Sequence, residues 1–226
     1  MWVKICGNTN LEDAALAVKL GADAVGFVFA ESKRQVTPEQ VATITPHLPA
    51  AVERVGVFYS HDAQEIALAA TVAGLTAVQL HGGLDEELIA SLTKHFAGRV
   101  RIIQTLHWTV DAAGAASAAA LKGQIARVAA LGTVARVLVD SKVGAAGGGT
   151  GVAFDWAAAR ILFASAPTGL KLIVAGGLRP DNVANAIAQL GPWGVDVASG
   201  VEESPRRKSP EKLAHFLENA RGAKTP

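Results

Sequence analysis

Eight short apolar runs alternate strictly with eight longer stretches of helical periodicity, and this alternation restricts the fold more than any other feature. The strand-like runs are 2–6, 24–29, 54–58, 77–80, 100–104, 136–140, 171–175 and 195–198. The helical stretches are 11–20, 38–48, 63–73, 84–96, 111–131, 154–164, 180–190 and 210–220. Such alternation predicts an α/β fold, a parallel sheet with crossover helices. Eight units without a ninth favour closure into a (β/α)₈ TIM barrel, an eight-stranded parallel barrel, over an open sheet. The 226 residues suit one such domain spanning 1–226, with 222–226 a frayed tail.

Local signals agree with this reading. GADAVGF (21–27), GLTAVQL (74–80) and GPWGVDV (191–197) each place glycine after a helix and a strand just beyond it, as a left-handed helix terminus requires. Pro38, Pro180 and Pro210 suit first helical turns. The alanine-rich stretch 111–131 could be a linker. Alanine is the best helix former, however, and Leu121, Ile125, Val128 and Leu131 share one face, which favours an elongated fifth helix.

Composition excludes several classes. With 21 Lys and Arg against 20 Asp and Glu, no general field for nucleic acid or anionic lipid exists, so anion binding must be local. One cysteine, Cys6, rules out an internal disulfide and a zinc site of several thiolates. No apolar run is long enough to span a bilayer, and no signal peptide is recognisable at the N-terminus. A cytoplasmic chain is expected, with no nucleic-acid or membrane partner, and a monomer rather than a dimer.

In a barrel of this kind the chemistry sits where the strands end. That rule nominates Cys6, Arg34, His81, Asp140, the Gly176 and Gly177 pair, Asp196, and Ser199 with Gly200. Cys6 is either a small buried hydrophobe or a thiolate able to take a proton from carbon. Asp140 either caps the following loop or has a chemical role, since an acid ending an apolar strand is costly to bury idle. Strands one and six lie three apart in a ring of eight, so the two side chains would face each other across the mouth. Gly176, Gly177, Ser199 and Gly200 fall where phosphate docks in such barrels. Gly147, Gly148, Gly149, Thr150 and Gly151 form either a plain surface loop or a mobile lid. His81 is a spacer or a site residue. Arg34 is a solvated charge or a fork for a carboxylate. Asp196 is an interior charge or a ligand for a sugar hydroxyl. The basic run 206–208 reads as a solvated loop.

KICG (4–7), GFVF with SKR (26–29, 32–34), RVGVF (54–58), VQLHG (78–82), LVDS (138–141), GGGTG with FDW (147–151, 154–156), AGGLRPDNV (175–183) and DVASGVE (196–202) together resemble the phosphoribosylanthranilate isomerase family. The resemblance runs in order from residue 3 to about 217. It implies a cofactor-independent Amadori rearrangement of N-(5′-phosphoribosyl)anthranilate in tryptophan biosynthesis, with a small phosphorylated sugar as the binding partner. It also implies Asp140 as general acid, Cys6 as general base, Arg34 and His81 beside the anthranilate and sugar, Asp196 on a sugar hydroxyl, and the glycine loops on the phosphate. The sequence departs from the usual pattern in a shortened FAESKRQ loop and in RIIQTL, where a basic residue is often found near the end of strand five.

Overall fold

A computed structural model of the protein describes residues 1–109, 114–142 and 156–224. The strands are β1 (Trp2–Ile5), β2 (Ala24–Val28), β3 (Glu53–Phe58), β4 (Ala77–Leu80), β5 (Arg101–Thr109), β6 (Arg136–Lys142), β7 (Lys171–Ala175) and β8 (Gly194–Val197). They close into a barrel in chain order, and β1 pairs in parallel with both β2 and β8. The helices are α1 (Leu11–Lys19), α2 (Pro38–Ala42), α3 (Ala63–Val72), α4 (Glu86–Phe96), α5 (Gly114–Ala130), α6 (Trp156–Ala164), α7 (Val183–Leu190) and α8 (Pro210–Gly222). A short hairpin, β9 (Glu202–Ser204) and β10 (Arg207–Lys208), precedes α8.

Side chains alternate across a strand, so every second residue of β1 enters the barrel. Trp2 belongs to an interior cluster with Ala24, Val55, Ala77, Ile103, Leu138, Ile173 and Ala175, distinct from the larger core between sheet and helices. Lys4 lies one layer up, bonded to Gln79 and Asp196. Cys6 lies one layer above Lys4, at the rim. The lower end is plugged by Arg136, whose guanidinium sits 4.7 Å from the Trp193 ring and bonds Glu53 at 2.6 Å.

Several elements differ from the sequence expectation. The segment 38–48 is not one helix. α2 ends at Ala42, and a 3₁₀ turn, Thr45–His47, follows, because Pro46 has no N–H to give the Ala42 carbonyl and the α-helical ladder stops there. α7 begins at Val183, so Pro180 lies in the preceding turn and not in the helix. β5 runs to Thr109, because residues 103–109 pair with β6, His107 opposite Asp140. The alanine-rich stretch is a helix of 17 residues with Leu121, Ile125 and Val128 buried. The basic run 206–208 is not a solvated loop, because the hairpin carries Lys208 inward and leaves it 2 % exposed. Gly21, Gly74 and Gly191 all have positive φ, as the helix-to-strand joints require.

Glu53 also pairs with Arg101, so it holds two guanidinium groups near the lower end. Glu53→Ala strands the poorly hydrated Arg136 and is expected to lower unfolding free energy by about 3–5 kcal/mol. Urea denaturation of the two proteins checks this.

Candidate active site

A cleft of about 340 Å³ opens at the C-terminal ends of the strands. Cys6, Arg34, His81, Asp140, Gly176, Gly177, Asp196, Ser199 and Gly200 all line it, together with Tyr59 and Gln79. The glycine-rich segment 147–151 lies outside the described residues.

Cys6 follows β1, and its N–H continues the ladder by donating to the Val197 carbonyl at 2.7 Å. Its sulfur packs over Gly26 of β2, where a Cβ would come within 2.7 Å of Sγ and 2.8 Å of Lys4 Cε. Glycine at 26 is therefore a spatial requirement of the site. Burial pushes the Cys6 thiol up, and the positive charges of Lys4 and Lys208 oppose that push. Lys4 is fully buried. Its ammonium donates to Asp196 Oδ1 at 3.0 Å and Gln79 Oε1 at 2.9 Å. Burial alone would lower its pKa, but Asp196 and Cys6 outweigh burial and hold it above the ordinary lysine value.

Asp140 lies on β6, which runs two residues past it to Lys142. His81 Nε2 is 3.6 Å from Asp140 Oδ2. The His81 ring lies 4.7 Å from the rings of Tyr59 and His107, and His107 Nε2 lies 3.1 Å from the His81 carbonyl oxygen. Burial and the charge of Asp140 push the Tyr59 phenol up, so that hydroxyl stays protonated. The ligand atoms of His81, His107 and Asp140 lie within 4.8 Å of one another, a spacing that could hold a cation. The same spacing suits proton handling at a carboxyl flanked by imidazoles.

Arg34 crosses Gly7, where a Cβ would sit 2.5 Å from Arg34 Cδ. Its fork is taken by Glu202, at 2.7 Å and 2.6 Å. The expectation of a fork waiting for a carboxylate is thus modified: Arg34 lines the cleft but is already held by a buried anion. Lys208 completes the arrangement, donating to the Cys6 carbonyl at 2.6 Å and to Glu202 at 3.3 Å. Burial pushes the Lys208 ammonium down against the pull of Glu202 and Cys6.

Gly176 and Gly177 follow β7 with φ of +91° and +66°, a backbone that side chains resist. Asn182 staples this turn, donating to the Gly177 carbonyl at 3.0 Å and accepting from Arg179 N–H at 2.8 Å. Ser199 and Gly200 begin a 3₁₀ turn, Ser199–Val201, after β8. A Cβ at Gly200 would overlap the Leu178 carbonyl, so the two loops touch there.

Lys4, Tyr59, His107, Glu202 and Lys208 were not among the sequence candidates. Strand alternation was a signal for Lys4, two residues before Cys6, whereas His107 comes opposite Asp140 only through the β5–β6 pairing. Glu202 and Lys208 left no local signal, because their burial depends on a hairpin folding against the rim.

The Glu202 carboxyl resists burial, but Arg34 and Lys208 outweigh it and hold its pKa below the ordinary value of 4.5. A depressed folded pKa means stability that is complete above the unfolded value and lost as pH falls through the folded one. The stability gap between wild type and Glu202→Gln is therefore expected to narrow from about pH 6 to about pH 3. Urea unfolding across that range measures it.

Comparison with known proteins adds an independent result. The sequence model of N-(5′-phosphoribosyl)anthranilate isomerase matches residues 3–219. A protein of that name from Symbiobacterium thermophilum is 40% identical over 239 residues, covering 98% of this chain and 99% of its own. Another from Citrifermentans bemidjiense is 42% identical over 220 residues, covering 97% and 96%. The crystal structure of phosphoribosyl anthranilate isomerase from Thermotoga maritima superposes with a TM-score of 0.82 at 36% identity, covering 98% of this chain and 99% of that one. A further structure of such an isomerase, in complex with reduced 1-(o-carboxyphenylamino)-1-deoxyribulose 5-phosphate, gives 0.79 at 35% identity, again covering 98% and 99%.

Proposed function

The chain belongs to the N-(5′-phosphoribosyl)anthranilate isomerase family, and from that premise we propose that Cys6 and Asp140 are the base and acid of its isomerisation. The reaction converts N-(5′-phosphoribosyl)anthranilate to 1-(2-carboxyphenylamino)-1-deoxyribulose 5-phosphate, an Amadori rearrangement in tryptophan biosynthesis. The observation that carries the assignment is that Cys6, following β1, and Asp140, on β6, line one cleft.

Asp140 gives its proton to the ribose ring oxygen. The bond from that oxygen to C1′ breaks, and the nitrogen lone pair forms the C1′–N double bond of a Schiff base. Cys6 then takes the proton from C2′. The C–H electron pair becomes the C1′–C2′ double bond, and the π pair of the C1′–N double bond returns to nitrogen, leaving the C1′–N single bond intact. The resulting enolamine tautomerises to the ketone. Each step moves a proton beside a carbon–nitrogen bond, which one positioned acid and one positioned base can accomplish. His81, 3.6 Å from Asp140, holds that carboxyl toward the sugar. Asp196 reaches a sugar hydroxyl with the oxygen that Lys4 leaves open. Arg34 with Glu202 walls the side facing the anthranilate.

The phosphate rests on Gly176, Gly177, Ser199 and Gly200. Among the described residues, no neighbour lies within 4 Å of a Cβ built on Gly177, so the space over that turn suits a phosphate. Binding energy taken there, far from the bonds that change, orients the sugar between acid and base. The segment 147–151 is proposed to close over the substrate as a lid.

Steady-state kinetics test the roles. Cys6→Ser and Asp140→Asn keep shape and are each expected to lower kcat by about 10²–10⁴-fold with a much smaller change in KM. Gly177→Val, which imposes a side chain on a left-handed backbone at the phosphate turn, is expected to raise KM and leave kcat closer to wild type. A folded Cys6→Ser protein with near-normal turnover would refute the mechanism.

A further inference from the structure

We propose that Lys4 is a positioning residue for the reaction, its buried ammonium anchored by Asp196 and Gln79 beneath Cys6 so that it stabilises the thiolate the base must become. The inference rests on the assignment of Cys6 as base, and it adds how a thiol in so dry a place can act as one.

The geometry is direct. Lys4 and Cys6 are alternate residues leaving β1 and enter the barrel one above the other. Lys4 Cε and Cys6 Sγ both crowd the same point over Gly26. The register pairs Lys4 with Asp196 of β8, and the carboxylate and the Gln79 amide oxygen hold the ammonium at 3.0 Å and 2.9 Å. A buried lysine is expensive without an anion, and among the described residues the carboxylate that pairs with this one is Asp196.

Charge balance points the same way. The groups around the sulfur are Lys4 of β1, Asp196 of β8, Lys208 of β10, Glu202 of β9 and Arg34 from the loop after β2. Tyr59, His81 and Asp140 face it from the other wall of the cleft. The near group holds three cations, Lys4, Arg34 and Lys208, against two anions, Asp196 and Glu202. Among the described residues, that local excess of one positive charge favours the negative sulfur that forms when Cys6 acts as a base. Burial resists that ionisation, and Lys4 is the largest opposing influence. Lys4 thus acts through the sulfur and needs no contact with substrate.

The single cysteine makes the experiment clean. The ultraviolet absorbance of the thiolate is titrated in the intact protein, with Cys6→Ser as the blank that removes the tyrosine signal. Lys4→Met is expected to move the thiol titration upward by roughly 1–3 pH units, the usual effect of one nearby opposite charge. Asp196→Asn removes the competing anion and keeps the ammonium, so the titration moves downward. A residue that only filled space would leave the sulfur's titration unmoved. A folded Lys4→Met protein whose thiol titrates as in wild type overturns the proposal. If Lys4→Met does not fold, an unlowered titration in Asp196→Asn overturns it instead. The acidic limb of the kcat/KM profile is measured on the same proteins. If it stays fixed while the thiol titration moves, the assignment of Cys6 as base fails and the action of Lys4 on the sulfur stands.

Discussion

The contact between Lys4 and Asp196 joins the two ends of the chain. Lys4 lies on the first strand and Asp196 on the eighth, and they meet in register at the seam where the barrel closes. An ammonium inside a dry barrel must find an anion, and here that anion comes from the strand that completes the circuit. The pair therefore ties closure of the fold to preparation of the site. Below it, apolar side chains and the Arg136 plug fill the barrel. Above it, the strand ends bring Cys6, His81 and Asp140 to one cleft.

This layering explains why the mouth is reactive and the interior is not. Moving up β1, the side chains pass from Trp2 to Lys4 to Cys6, from apolar to charged to nucleophilic. β4 passes from Ala77 to Gln79 to His81, and β6 from Leu138 to Asp140. Each step of two residues is one layer. The polar middle layer stands between a core that needs dryness and a rim that needs controlled charge. At the rim, Arg34, Glu202 and Lys208 add a second group of ions. The hairpin that supplies two of them packs against the N-terminal strand from nearly the opposite end of the chain.

Much of the barrel was legible because its signals are local. Apolar runs, helical periodicity and the glycines at 21, 74 and 191 each speak through a few neighbouring residues. The rim candidates were legible for the same reason, since a strand's end can be located without knowing its neighbours. What escaped depends on pairing. The extension of β5 to Thr109 exists because β6 lies beside it, and His107 was hidden with it. Arg206, Arg207 and Lys208 look like one solvated run, yet the hairpin separates exposed Arg207 from buried Lys208. Arg34 showed its charge in the sequence but not its partner, which lies 168 residues away. The break of the 38–48 helix lies at Pro46, a proline inside a stretch of helical periodicity.

In the mechanism proposed above, the barrel sets a sulfur base and a carboxyl acid on opposite sides of one sugar. The most direct test of that mechanism is a crystal structure of this chain with the reduced product, 1-(o-carboxyphenylamino)-1-deoxyribulose 5-phosphate. The expected result has Cys6 Sγ within about 4 Å of C2′ and an Asp140 oxygen within about 3 Å of the oxygen that was in the ribose ring, with the phosphate at Gly177 and Gly200. A complex in which Sγ points away from C2′, or in which both side chains touch the same side of the sugar, would contradict the account.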